Sequence, residues 1–450
     1  MERFKISDGA EYVLKRLKNN NKQGYIVGGS VRDFLMGKEP SDFDITTDAT
    51  PDEMEEIFSD RHLITLGRNY GTIGIVYNKE LVETTTFRSE GKYSDGRHPD
   101  PSDISFSKTI EEDLSRRDFT INAMAMDLDN NIIDIFGGRE DLKNGIIKTV
   151  GDPYKRFEED KLRMLRAIRF ANRFNFKIEK DTMDAIKKNA PKIHMVSAER
   201  VRDEINKMLL SDTPSNALNL LLESNLLAEI FPELMPTVGY DQMSPYHHKD
   251  LFKHILCVVD RVEPKLYLRL AALFHDIAKI DTLTIDENGV GHFFGHDKLG
   301  AKKARARLKI LKYDNETIKK VEILIDRHMK ADPGMGKKGI KRLISRVGED
   351  LIFDLYNLMI SDMLCTRDDR DATYLYERVE ETKKILENNQ PVDRTGLAIK
   401  GGDLIDAGYK EGQEIGEILD YLVELVIDEK IENERDILLD FAYKNWRKNE

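Results

Sequence analysis

Two aspartates one residue apart, Asp42 and Asp44 in DFDIT, follow a pair of glycines, Gly28 and Gly29 in GGSVRD. On a strand, residues i and i+2 point to the same side. Two carboxylates held on one face repel each other, and a cation between them relieves the cost. Hard oxygen ligands suit Mg²⁺, which takes one or two carboxylates together with substrate phosphates. Paired glycines at the start of a helix leave backbone N–H groups open to a phosphate. Arg32, one turn later, can add a bidentate contact. Joined, the two ends describe a two-metal phosphoryl-transfer site holding a triphosphate. Taken separately, DxD also suits a strand end and GG a tight turn. Glu83 in VETTTF is either a third carboxylate from a neighbouring strand or a surface residue.

A second constellation lies over a hundred residues later. Asp160 and Arg163 in EEDKLR are spaced i, i+3, which predicts one face of one helix. An Asp accepts hydrogen bonds and an Arg donates them. Cytosine and adenine each present an amino donor beside a ring-nitrogen acceptor, whereas guanine and uracil present a carbonyl beside an N–H. The pair therefore suits C and A, and a mismatch leaves buried polar groups unpaired. Arg166 and Arg169 continue the stripe toward possible phosphates; a solvated helix face is the plainer reading. Asp118, after Arg116 and Arg117, reads by itself as an N-cap for FTINAMAM, a role compatible with a further contact.

A third set is spread over helices: His254 in LFKHIL, His275 and Asp276 in LAALFHDIAK, His296 in FFGHDKLGA, His328 in LIDRHM and Asp362 in LMISDML. The order of His254, His275, Asp276 and Asp362 matches the ligands of HD phosphohydrolases. Imidazole with carboxylate suits Mn²⁺, Fe or Ni²⁺ better than Mg²⁺. A lone core histidine is ordinarily just a hydrogen-bonded core residue; it is the four-ligand order that points to metal.

These residues need elements to position them. Up to about residue 148, short β-like runs (Tyr25–Val27, Asp42–Thr46, His62–Leu66, Thr72–Val76, Val82–Phe87) alternate with helices at Val31–Met36 and Asp52–Phe58, the latter opened by Thr50-Pro51. RSEGKYSDGRHPDPSD after Phe87 reads as a loop. From Asp152 onward helical periodicity dominates, with breaks at Phe231–Pro245, Ala331–Gly336 and Asn388–Asp393. No fixed-period repeat is visible. At 450 residues the chain exceeds one core. The net charge of −12 argues against a nucleic-acid partner, but residues 151–207 hold 15 Lys/Arg against 10 Asp/Glu, a local basic face. Two cysteines, Cys257 and Cys365, supply no disulfide framework and no Cys-based zinc site. With no signal core and no apolar run of membrane length, a reducing, cytoplasmic location without membrane attachment is expected.

The motifs, taken in order, carry a resemblance. GGSVRDFLMGKEPSDFDIT, RRDFTINAMAMD, RFEEDKLRMLRAIRF and AERVRDEINKML are similar to the signatures of the class II tRNA nucleotidyltransferases, which include CCA-adding enzymes and bacterial poly(A) polymerases. The resemblance covers nearly the whole chain, more loosely in the middle and C-terminus. It implies an α/β, polymerase-beta-like nucleotidyltransferase head (residues 1–148), a helical neck binding RNA and the nucleotide base (149–235), an HD-type helical domain (236–370) and a C-terminal helical tail engaging tRNA (371–450). It implies Asp42 and Asp44 as catalytic Mg²⁺ ligands. Gly28, Gly29, Arg32, Arg117, Asp118, Asp160, Arg163, Arg166 and Arg169 would contact the nucleotide, with CTP, ATP and tRNA as substrates. The polar loop resembles one carried by full CCA-adding and A-adding members. The expected activity is addition of C, C and A to tRNA 3′ ends, with A-only addition or poly(A) synthesis as alternatives inside the class. Outside it stand an HD phosphohydrolase with a nucleotide-sensing head and a non-catalytic RNA-binding protein; the intact DxD argues against the last.

Overall fold

The computed structural model describes residues 6–40, 42–89, 105–243, 250–366, 371–388 and 391–446. The chain divides into two units, residues 1–230 and 231–450.

The first unit opens with α1 (Asp8–Asn19), capped by Ser7, whose hydroxyl accepts the Ala10 N–H. Its apolar stripe, Ala10, Val13, Leu14 and Leu17, is fully buried, as an amphipathic helix on a sheet requires. The alternation that follows gives β1 (Gly24–Val27), α2 (Gly29–Leu35), β2 (Asp44–Thr47), α3 (Pro51–Ile57), β3 (His62–Ile64), β4 (Thr72–Tyr77) and β5 (Glu80–Thr86). Thr50 caps α3 through a capping box with Glu53, and Pro51 occupies the first turn, as the sequence predicts. The sheet runs β3-β4-β5-β2-β1, then the short strands Ala125–Met126 and Ile132–Ile133. Within this sheet β2 and β5 pair in parallel and the other described pairs are antiparallel. Ile26, Ile45, Ile73, Ile75 and Val82 form the core beneath α1 and α3 with Met54 and Phe58. The loop read from RSEGKYSDGRHPDPSD lies mostly outside the described residues, which resume at Ser105.

Helices follow: α4 (Ile110–Ser115), α5 (Gly138–Asn144), α6 (Pro153–Glu159), α7 (Leu162–Phe174), α8 (Lys180–Asn189), α9 (Ala198–Leu209), α10 (Pro214–Glu223) and α11 (Leu226–Ile230). One expectation fails here. Asp160 and Arg163 do not share a helix: α6 ends at Glu159, and Asp160 is extended, at φ −136° and ψ 108°. The physical reason is a side-chain cap. The Asp160 carboxylate accepts the Leu162 N–H at 2.9 Å, a local bond that competes with helix continuation.

The second unit is helical: α12 (Leu251–Arg261), α13 (Leu266–Phe274), α14 (Lys279–Thr282), α15 (His296–Ile310), α16 (Asn315–Arg327), α17 (Lys337–Val347), α18 (Ile352–Thr366), α19 (Thr373–Glu387), α20 (Gly401–Asp406), α21 (Gln413–Ile427) and α22 (Arg435–Trp446). The tail from α20 onward has its own core of Leu404, Ile418, Leu422, Leu438 and Ala442. Against the expectation of a chain without disulfides, Cys257 and Cys365 are bonded. They stand 108 residues apart in sequence, so only the packing of α12 against α18 brings them together. No described helix is long and apolar enough to cross a membrane.

Candidate active site

Strand register brings the two ends of the glycine–aspartate stretch together. Val27, the last residue of β1, pairs with Asp44, the first of β2. Gly28 therefore begins its turn beside the second aspartate, and α2 fills the connection. The Ser30 hydroxyl donates to the Asp42 carbonyl at 2.9 Å, tying the helix start to the DxD segment. Phe43 packs toward the sheet core while Asp42 and Asp44 face an open cavity of about 560 Å³. The same-side expectation for the aspartates holds, although the strand proper starts only at Asp44.

Gly28 has φ +73°, a conformation L side chains rarely adopt. A Cβ there would also sit 3.0 Å from the Arg117 guanidinium, so the glycine admits both the turn and the close arginine. Burial, then the Asp42 charge, push the Asp44 carboxyl above its ordinary value; Glu83 adds to this and Arg117 opposes it. Glu83 stands on β5, one residue before Thr84, which pairs with Ile45. Asp42 and Asp44 are hard oxygen donors on one cavity wall, a pair that fits a hard divalent cation, whereas Glu83 lines a separate groove with Ile64, Tyr70 and Arg88.

The opposite wall comes from α7 and its neighbours. Asp118, Asp160, Arg163, Arg166 and Arg169 line the same cavity as Gly28, Gly29, Arg32, Asp42, Asp44 and Arg117, so these head and neck candidates converge. With Arg116, Arg173 and Arg200, eight arginines face five aspartates there, a surplus suited to a polyanion.

The arginines are held rather than loose. Arg32 is buried, donates to Asn122 at 2.6 Å and to Asp33 at 2.8 Å, and its guanidinium lies 4.7 Å from the Phe174 ring centre. Asp118 accepts from Phe119 N–H and Asn122 on one oxygen and from two nitrogens of Arg166, at 2.8 and 2.6 Å, on the other. Burial alone would raise its pKa, but the Arg166 charge and the bonds from Asn122 and Arg166 hold it at about 2. Asp118 does not take the helix-cap role open to it, since Phe119 stands at the N-cap of the turn Thr120–Asn122; its carboxylate clamps Arg166. Arg169 pairs with Glu204 at 2.6 Å and lies 4.1 Å from the Phe170 ring centre.

Asp160 and Arg163 come together by a route the sequence does not show. Arg163 donates to Glu159 at 2.7 Å and to the Arg116 carbonyl at 2.9 Å. Asp160 accepts from Arg200 at 3.1 Å. Arg200, Asn122 and Asp113 escaped the sequence reading. Asp113 is fully buried and pairs with both Arg116 and Arg117. For Arg200 the available signal was its place in AERVRDEINKML.

The second unit gathers the remaining candidates. His254, His275, Asp276 and Asp362 present ligand atoms all within 4.8 Å of one another. His254 lies 3.0 Å from Asp362 and 3.4 Å from Asp276.

A family model of the poly(A) polymerase head domain matches residues 24–148, one of the RNA and SrmB-binding site of polymerase A matches 175–237, and one of tRNA nucleotidyltransferase domain 2 matches 293–442. The CCA-adding enzyme of Lactobacillus helveticus is 33% identical over 95% of this chain and 94% of its own. The chain belongs to the CCA-adding enzymes. The CCA-adding enzyme of Enterococcus faecalis is 32% identical, covering 97% of this chain and 96% of its own. A crystal structure of the Bacillus stearothermophilus CCA-adding enzyme with CTP superposes with a TM-score of 0.71 at 27% identity, over 97% of each chain. The polymerase-beta-like head followed by a helical body is the architecture of this family, and nucleotidyl transfer is its chemistry. The family implies a divalent metal ion, which the carboxylates of Asp42 and Asp44 in the cavity fit.

Proposed function

We propose that this CCA-adding enzyme extends tRNA 3′ ends with C, C and A, taking CTP and ATP in turn into the arginine-lined cavity of its first unit. The carrying observation is that the DxD carboxylates, the glycine turn and the Asp160–Arg163 pair all line that one cavity. The triphosphate lies along the Gly28–Gly29 turn, with Arg32 and Arg117 beside it. Asp118 faces the ribose while clamping Arg166, and Arg166 and Arg169 complete the positive wall. Asp42 and Asp44 would hold Mg²⁺, which when bound supplies charge neutralisation and activation at the transferring phosphate. The tRNA 3′-hydroxyl oxygen attacks the α-phosphorus, the bond to the β-phosphate oxygen breaks, and pyrophosphate leaves. Asp160 accepts from the base amino group and Arg163 donates to the ring nitrogen. Glu159 and Arg200 keep both side chains in place, so a base of the opposite pattern meets like against like.

The test uses transcripts ending before the first C, ending in CC, and lacking a tRNA fold, each with CTP or ATP. Full CCA addition requires C incorporation on the first and A on the second. A alone on the CC-ending transcript overturns it in favour of an A-adding enzyme, and long A-tails on unstructured RNA favour a poly(A) polymerase. Asp42→Ala removes incorporation by at least ~10³-fold, the scale of losing charge stabilisation at the reacting centre.

A second reading concerns the second unit. The convergence of His254, His275, Asp276 and Asp362 supports a transition-metal site of the HD type, with Mn²⁺ or Ni²⁺ as the expected ion. His275→Ala then lowers metal retention without touching nucleotide incorporation; unchanged retention refutes the site.

A further inference from the structure

Phe170 and Phe174 stand four residues apart on α7, so they share one face. Both are buried, and their rings lie nearly parallel, at 5° with centres 5.9 Å apart. Phe119 meets Phe170 edge-on at 5.8 Å, and Phe176 tilts against Phe174 at 5.6 Å. An aromatic cluster of this kind ordinarily packs against apolar neighbours, but here it collects charge. The guanidinium carbons of Arg169, Arg166 and Arg32 stand 4.1, 5.3 and 5.5 Å from the centre of the Phe170 ring. Those of Arg32 and Arg173 stand 4.7 and 5.4 Å from the centre of the Phe174 ring, with Lys38 Nζ at 5.8 Å. All four arginines, and Phe170 itself, line the cavity that holds the glycine turn and the DxD carboxylates.

Like charges on one wall repel, and burial adds to the cost. Burial pushes the Arg169 guanidinium below its ordinary pKa; Glu204 opposes this and Arg166 adds to it. Carboxylates meet part of the cost: Asp118 holds Arg166, Glu204 holds Arg169 and Asp33 holds Arg32. A carboxylate also cancels the charge it holds, which weakens the wall toward an incoming anion. An aromatic face works differently. Its quadrupole attracts a cation within about 6 Å of the ring centre but carries no net charge. A guanidinium held on a ring is therefore oriented and still positive. Arg32 lies on both rings and comes from α2, so the rings of α7 also tie the glycine-turn side of the cavity to the arginine side.

We propose that Phe170 and Phe174 are positioning residues for nucleotidyl transfer: their ring faces hold Arg32, Arg166, Arg169 and Arg173 in place for the triphosphate without neutralising them. The inference rests on the reading of this cavity as the triphosphate site. It separates two tasks within one cavity. Base selection stays with Asp160 and Arg163, which are held by Arg200, Glu159 and the Arg116 carbonyl. The rings act on phosphate affinity and not on the choice of base.

The experiment replaces Phe170 of the full-length chain, and separately Phe174, by phenylalanines carrying one, two and three ring fluorines. Each fluorine withdraws electron density from the ring face while shape and apolar burial change little. On tRNA transcripts, kcat and KM for CTP and ATP are measured, with the inhibition constant of inorganic tripolyphosphate, which has no base or sugar. Phe170→Leu and Arg32→Met are assayed beside them. The expected result is a stepwise rise of KM and of the tripolyphosphate constant with fluorine number, reaching about tenfold. The value of kcat and the preference for CTP over UTP hold, as loss of uniform phosphate binding requires. The series decides the matter even if Phe170→Leu folds poorly. A flat series beside a weakened Phe170→Leu chain shows packing alone and overturns the positioning role. A flat series beside raised constants in Arg32→Met likewise overturns the role of the rings, and leaves the triphosphate reading standing. Constants unchanged in Arg32→Met as well overturn that reading together with the rings, and a fall in kcat at fixed KM overturns the proposal alone.

Discussion

Replacing Asp118 by Asn tests how the cavity wall is held. The substitution keeps shape but removes the charge that clamps Arg166 through two bonds to one oxygen. The folded protein holds this carboxyl at about 2 against an ordinary 3.8. At ~1.4 kcal/mol per tenfold change in proton affinity, that difference amounts to about 2 kcal/mol of stability at neutral pH. Removing one partner of a fully buried pair can cost about 3–5 kcal/mol. The Arg166 side chain keeps 35% of its surface exposed, so water relieves part of the loss and the lower figure is expected. The sign with pH follows from the depressed folded value. The contribution is complete above the unfolded value near 4 and is lost as pH falls through about 2; about half remains at pH 3. The single tryptophan, Trp446, belongs to the second unit and is the wrong probe. Native-state hydrogen exchange of amides in α7 and in residues 119–122 reads the first unit directly. Asp118→Asn should lower their opening free energy by about 2 kcal/mol at pH 7, with the gap to wild type narrowing on acidification. A gap below ~0.5 kcal/mol, the scatter of ordinary surface substitutions, or one unchanged at pH 3, refutes the clamp.

Three further outcomes follow from the same geometry. Gly28→Ala meets both a positive φ of +73° and the Arg117 guanidinium at 3.0 Å; a stability loss of about 1–3 kcal/mol and a raised KM for both nucleotides are expected in steady-state assays, and unchanged values would refute the tight turn. Asp160→Ala should cut discrimination against UTP and GTP by ~10²-fold or more, and Arg200→Met should reproduce part of it by freeing Asp160, read as the ratio of kcat/KM values; retained discrimination removes the pair from base selection. Reducing the Cys257–Cys365 bond, which closes a loop of 108 residues, should release two thiols and lower the stability of the second unit by up to ~4–5 kcal/mol, measured as a shift in the Trp446 fluorescence transition; two free thiols in unreduced protein would refute the bond.

Much of the site was written locally. The glycine pair, DxD and the arginine stripe of α7 are short-range patterns, and α2 and β2, which flank the first two, formed within two residues of their expected places. Thr50-Pro51 gave α3 its start because capping is a property of four consecutive residues. The failure at Asp160 has the same scale but the opposite lesson: i, i+3 spacing assumes an unbroken helix, and one carboxylate bonding to the Leu162 N–H ended it.

What the sequence alone determined was the kind of chemistry: carboxylates for a cation, bare backbone and arginines for phosphate, and an Asp–Arg pair for a base edge. Tertiary structure decided which residues meet. Val27 opposite Asp44 is a matter of strand register, and register is set by the pairing of whole strands rather than by neighbours in the chain. Arg200 beside Asp160, Arg32 beside Asn122, the Cys257–Cys365 bond and the approach of His296 and His328 to Asp276 join residues from 20 to 108 positions apart. Such contacts exist only after apolar faces elsewhere have packed, because it is the burial of those faces, and not any attraction among the site residues, that drives the helices and strands together.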